Sequence, residues 1–218
     1  KLEGSKYLPG TYIEPVFINN EPNALESNGP FINSQRFLPE INNLPEVTYS
    51  NNLTSFSQVE QLNDSLYFNS FFNPTLNIAL QGNVLEKIVM KGNFILHYND
   101  SVHIKNTSVL EDIIVIAKKI TIEDNFKGNI QAIATEGITI GTNVKLYYPT
   151  ALILKNDTDL KADIIINQNS SIQGDIVIYG DEHFNIDNNL LELKEHTRVT
   201  GNIYCAGTLI LKGDVYGS

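Results

Sequence analysis

The chain has 218 residues and a formal net charge of −10, with 42% apolar and 18% charged residues. That is enough apolar material for a sizeable core, which excludes wholesale disorder, and the acidic balance argues against nucleic acid and anionic membrane surfaces as partners. The single cysteine excludes an internal disulfide and a cysteine-built metal centre, and no apolar run approaches the ~20 residues of a transmembrane helix.

Seven of the eight prolines lie in residues 1–74. Proline lacks the donor that a central strand needs and it breaks helices, so the first half-hundred residues are predicted to be neither regular sheet nor long helix. They still carry large apolar groups, among them Tyr12, Val16, Phe17, Phe31, Phe37 and Leu44. Flexible linkers are poorer in such groups. Residues 1–75 therefore read as an extended Pro/Asn-rich segment that wraps or caps another surface. Near its end, Ser57-Gln58-Val59-Glu60 has the form of a capping box, with Val59, Leu62 and Leu66 on one helical face. That spacing predicts a short helix near 57–68. The sequence starts on Lys1 rather than Met. An upstream signal or anchor is therefore expected, and with it a place outside the cytoplasm, in the periplasm or at the cell surface.

From about Leu76 the grammar changes. Proline nearly vanishes, and short β-branched runs alternate with Gly, Asn and Asp. Asn abundance alone is ambiguous, because an AT-rich genome would also produce it. Position carries the argument instead. A five-residue phrase recurs: apolar, then Lys/Gln/Thr, then Gly, then Asn/Asp, then apolar. Its glycines are Gly82, Gly92, Gly128, Gly174, Gly201 and Gly213, the fourth positions including Asn129, Asp175, Asn202 and Asp214. Glycine permits a bend forbidden to residues with a Cβ, and Asn or Asp bonds neighbouring backbone at a corner. Between the phrases lie Ile113–Ile116, Ile120–Ile122, Ile138–Ile140, Leu152–Leu154, Ile164–Ile166, Ile176–Ile178 and Leu209–Leu211. These are strands by composition, and Ile-Thr-Ile alternation puts the aliphatics on one face.

The expected fold is all-β: a right-handed parallel β-helix, a solenoid, over residues 76–218. Its coils are expected to hold roughly 17–26 residues and three strands each, with loops bulging around Asn156–Lys161 and Asp181–Asn189. An antiparallel sandwich would not need one phrase to recur at one kind of corner, and a left-handed hexapeptide helix would keep a strict six-residue spacing that is missing here.

Short Ile/Val strands with recurring apolar-x-Gly-Asn/Asp corners resemble the bactofilins, the polymer-forming β-helical scaffold proteins of bacteria. The resemblance spans about residues 76–218 and lies in texture, without a diagnostic motif. It implies a non-enzymatic, cofactor-free scaffold. The uneven coil lengths and the long N-terminal segment depart from that family, and they bear on filament formation more than on the fold.

Reactive residues are sparse. His97, Asp100 and His103 fall within seven residues, but on one strand the two histidines would stand about 20 Å apart, so solvated side chains are expected rather than a metal centre. Asp181, Glu182 and His183 share an insertion, with Arg198 downstream. Asp181, His183 and Arg198 are the candidate acid–base residues of an alternative reading, a carbohydrate-active β-helix enzyme or binding module with a polysaccharide partner. No recurrent Asp or Arg on neighbouring strands supports catalysis. Cys205 reads as a small buried hydrophobe. Tyr147, Tyr148, Tyr179, Tyr204 and Tyr216 are read first as corner packing and second as a sugar-binding strip. After the last phrase nothing polar or helical follows. Leu211, Val215 and Tyr216 are therefore expected to meet further coils or a second copy of the chain. The sequence thus predicts a structural, scaffold or adhesive protein without cofactors, and a partner in itself.

Overall fold

The computed structural model describes residues 66–180 and 188–217, together with short segments at 2–3, 6–8, 16–18, 21–23, 27–28, 30–33 and 57–59. The described residues are all-β, without an α-helix. The chain divides into two units, Lys1–Pro45 and Glu46–Ser218.

In the first unit, Leu2–Glu3 pairs in parallel with Ser27–Asn28 and Lys6–Leu8 with Phe31–Asn33, while Val16–Ile18 pairs antiparallel with Glu21–Asn23. Regular pairing therefore exists where the prolines predicted none. Pro22 is tolerated because a two-stranded pair has a free edge, where a missing N–H costs no ladder bond.

The second unit is built on one 16-stranded sheet whose pairings are all parallel. Its strands form three ladders, which the chain visits in the same order on every pass. One register row marks each ladder. The first runs Val89, Val109, then Lys127, Lys145, Ser171, Arg198 and Asp214. The second runs Ile78, Leu96, Val115, Ala132, Leu152, Ile176 and Ile203. The third runs Leu85, Ile104, Ile122, Ile140, Ile166, Leu193 and Leu211. The step between rungs varies, from 16 residues between Arg198 and Asp214 to 27 between Ile176 and Ile203. The extra length falls where the sequence predicted loops, at Asn156–Lys161 and after Tyr179.

Every strand expected downstream of Leu76 is present. Of the stretch near 57–68 where a helix was expected, the described residues Ser57–Val59 and Leu66–Asn69 are strands of the parallel sheet, paired with Ile78–Leu80 and Val89–Gly92, and residues 60–65 lie outside the described residues. Local capping chemistry loses there to long-range ladder bonding, and the sheet begins upstream of residue 76.

Alternation explains the core. Val89–Tyr98 runs half-exposed and buried by turns, so Met90, Phe94, Leu96 and Tyr98 face inward. Side chains from all three ladders join a single apolar cluster with Phe126, Ile130 and Ile172. Each such aliphatic contributes roughly 1.5–3 kcal/mol by leaving water. Tyr98 pairs in register with Leu80, and its ring is buried in this core. The Tyr98 hydroxyl has no hydrogen-bond partner, and burial pushes its pKa up.

Candidate functional site

Two corners of the stack carry most of the polar chemistry. At the glycine corner, Gly92 lies opposite Asn69, Gly174 opposite Thr150, and Gly201 against Gly174. Gly174 and Gly201 have φ of +151° and +150°, and a Cβ on either would run into the carbonyl oxygen of the rung before. Gly128 sits two positions ahead of that row, opposite Leu146 and packed on the Phe126 ring. The other phrases go elsewhere. Gly82 lies in a bend between Leu76–Leu80 and Val84–Leu85, and Gly213 sits against Thr197 at the opposite corner.

The acidic and amide positions of the phrases bond to their neighbours. Asn129 Nδ2 donates to Asp112 Oδ1 at 2.8 Å, and Asp175 Oδ1 accepts from both the backbone N–H and Nδ2 of Asn202 at 3.1 Å. Asn93 donates to the Asn73 carbonyl at 3.0 Å and accepts from Thr75 at 2.9 Å. Asp214 pairs in register with Arg198, whose guanidinium lies over the Tyr216 ring at 4.9 Å from its centroid.

The second corner was not legible in the sequence. Lys87, Asn125, Asn143, Asn169 and His196 all take φ between 54° and 64°, each followed by a buried side chain: Ile88, Phe126, Val144, Ser170 and Thr197. They stack in one column. The Asn125 N–H donates to the Thr142 carbonyl at 2.8 Å, and the Asn143 N–H to the Gln168 carbonyl at 3.1 Å. Ser170 Oγ fills the interior side, accepting from Val144 N–H and donating to the Gly141 carbonyl at 2.7 Å. A third polar link is buried: Asn156 Nδ2 donates to Asn189 Oδ1 at 2.8 Å, and Asn189 Nδ2 donates to the Ala206 carbonyl at 2.9 Å.

Ion pairs join rungs at the surface. Lys105 meets Glu123 at 3.0 Å, and with the Asn106 N–H at 2.9 Å it holds that carboxyl below its usual range, the backbone bond being the larger cause. Asp163 is pushed the other way by burial.

Asp181 and His183 lie outside the described residues, and Arg198, at the third candidate position, is engaged with Tyr216. His97 and His103 belong to different ladders. His97 Nε2 bonds Asn77 Oδ1 at 3.2 Å, and Asp100 pairs with Lys118 at 3.4 Å. Among the described residues no three His, Cys, Asp or Glu side chains gather as a metal site would require. Cys205 packs against the core, and burial raises its thiol to about 11, far from a nucleophile's range. No described helix is long and apolar enough to cross a membrane.

Leu211, Val215 and Tyr216 are 39%, 37% and 51% exposed, on strands paired along one edge among the described residues. Recesses mark the surface of the described residues. A polar one of about 320 Å³ is lined by Gln81, Asn83, Asn99, Asp100 and Ser101. A larger one of about 550 Å³ lies over the glycine corner, beside Tyr148. Comparison with protein-family models, curated proteins and solved structures finds no match for this chain.

Proposed function

We propose that residues 46–218 form a right-handed parallel β-helix whose role is structural: a scaffold or cell-surface, adhesive rod resembling the bactofilins. The observation that carries this reading is the use made of the repeated polar residues. Asp112, Asn129, Asp175 and Asn202 bond from rung to rung at the corners, and so do Asn156 and Asn189 inside. Side chains consumed in holding register serve geometry, and a stack in which each rung contacts only its neighbours makes a stiff rod. A periplasmic or surface location belongs to the same reading.

Self-association is part of it. The edge made by Thr208–Leu211 and Asp214–Tyr216 offers ladder donors and acceptors together with exposed Leu211, Val215 and Tyr216, the combination that accepts a further strand. Sedimentation velocity with negative-stain microscopy tests this. The expected result is concentration-dependent growth into rods, suppressed by Val215→Lys. A monomer at all concentrations, unchanged by that substitution, would remove self-assembly from the reading.

A further inference from the structure

We propose that the recess over the glycine corner is a binding trough for a neutral glycan chain. The trough exists because three stacked rungs present little bulk at one place. Gly174 and Gly201, successive neighbours across the sheet at a strand spacing of about 4.8 Å, form its floor together with Ala151, which lies opposite Asp175. One wall is built by the sequence itself. Between the register pairs Leu146–Ile172 and Thr150–Gly174, one strand holds three residues, Tyr147, Tyr148 and Pro149, where its partner holds only Gln173. The surplus bulges outward and is tied at its base by Thr150 Oγ1, which donates to the Tyr147 carbonyl at 2.6 Å. Tyr148 is left 78% exposed beside the trough.

An aromatic ring held in the open beside a water-filled cleft is costly in water and useful to a ligand with an apolar face and a polar rim. A pyranose ring has that shape: its C–H face stacks on a tyrosine while its hydroxyls reach sideways. The rest of the lining supplies partners for hydroxyls. Gln131, Gln173 and Thr200 are exposed on the same surface, and amides and hydroxyls both donate and accept, as sugar hydroxyls do. About 550 Å³ lies within the usual range of small-ligand sites.

Charge decides the class of glycan. The lining contains one carboxylate, Asp175, and no Lys, Arg or His, on a chain of net charge −10. A uronate or sulfated polymer would meet repulsion without a cation to offset it. The ligand is therefore neutral, and an acidic polysaccharide is disfavoured here. Binding at this site stands apart from self-association through the Asp214–Tyr216 edge, which sedimentation tests separately.

The test uses the full chain and three defined probes: cellohexaose, chitohexaose and hexagalacturonate. Amide chemical shifts report the site, and calorimetry the affinity. At least one neutral hexasaccharide is expected to move the amide signals of Gly174, Thr200 and Gly201, with hexagalacturonate weaker by about ten-fold or more. Tyr148→Ala should raise Kd about ten-fold or more at unchanged Tm, because the ring is exposed in the free protein. Gln173→Ala should weaken binding less. No shift with either neutral probe, shifts confined to another surface, affinity untouched by Tyr148→Ala, or a preference for hexagalacturonate would each overturn the proposal.

Discussion

The two polar corners solve the same mechanical problem with different residues. At one, glycine turns the chain under the carbonyl of the rung before, and no side chain fits at Gly174 or Gly201. At the other, Lys87, Asn125, Asn143, Asn169 and His196 accept left-handed backbone because a buried residue follows each of them and the N–H groups of Asn125, Asn143 and Asn169 find a carbonyl on the next rung. The first corner is limited by space and the second by conformation. Space leaves a signature in sequence, because only glycine meets it, although Gly82 and Gly213 carry the same phrase at other places. A left-handed φ costs an L-residue only about 1–2 kcal/mol, which tertiary bonding can offset, so several residue types share the position.

That contrast sets the size of the effects expected at each. Gly174→Val and Gly201→Val add a branched side chain at a strained φ and against backbone, so each should destabilise by about 2–5 kcal/mol, read as a fall in urea midpoint. Equal midpoints for wild type and both variants would show that the corner is looser than its geometry. At the second corner the cost is conformational. Asn143→Val should lose about 1–2 kcal/mol, whereas Asn143→Gly should stay within about 1 kcal/mol of wild type, since glycine takes the same φ freely. Equal losses for Val and Gly would assign the position to its side-chain bond with Asn125 instead.

The smallest effects concern charge beside these corners, and they carry opposite signs. Glu123 has its carboxyl pKa lowered by the Asn106 N–H and Lys105, so its ionised form stabilises the fold above the usual glutamate range, and that contribution fades as pH falls through the lowered value. Asp163 is raised by burial, so its ionised form works against the fold at neutral pH and protonation on acidification relieves it. Glu123→Gln should therefore lower Tm at pH 7 and converge on wild type as pH falls through the lowered carboxyl pKa, while Asp163→Asn should raise Tm at pH 7, with the gap closing on acidification. Parallel Tm profiles for the two variants would contradict these assignments.

Strand positions were largely legible. Ile120-Thr121-Ile122 and Ile138-Thr139-Ile140 alternate as half-buried strands do, and both lie in the third ladder with their isoleucines inside. Ile113-Ile114-Val115-Ile116 was less informative, because both faces are apolar. Ile133 and Ile153 flank core residues and point to the other face, yet are only 4% and 9% exposed, outside the core cluster. Composition cannot separate two buried faces. The stretch at 57–68 misled for a related reason: a capping box reports a local preference, and the parallel neighbours of Ser57–Val59 and Leu66–Asn69 outweigh it.

The candidate site was legible only in fragments. Tyr147 and Tyr148 stood out as aromatics, and Gly174, Asp175, Gly201 and Asn202 as parts of a phrase, but nothing in linear order joins Gln131 to Asn202. The sequence by itself determined where the strands fall, which residues bury and where glycine alone can turn, because these depend on side-chain size, polarity and backbone freedom at single positions. The tertiary structure decided which rung lies beside which, and therefore which corners align, which side chains face outward under cover, and where a trough opens. Those outcomes depend on pairing register over steps that vary from one rung to the next, a quantity that no single position encodes.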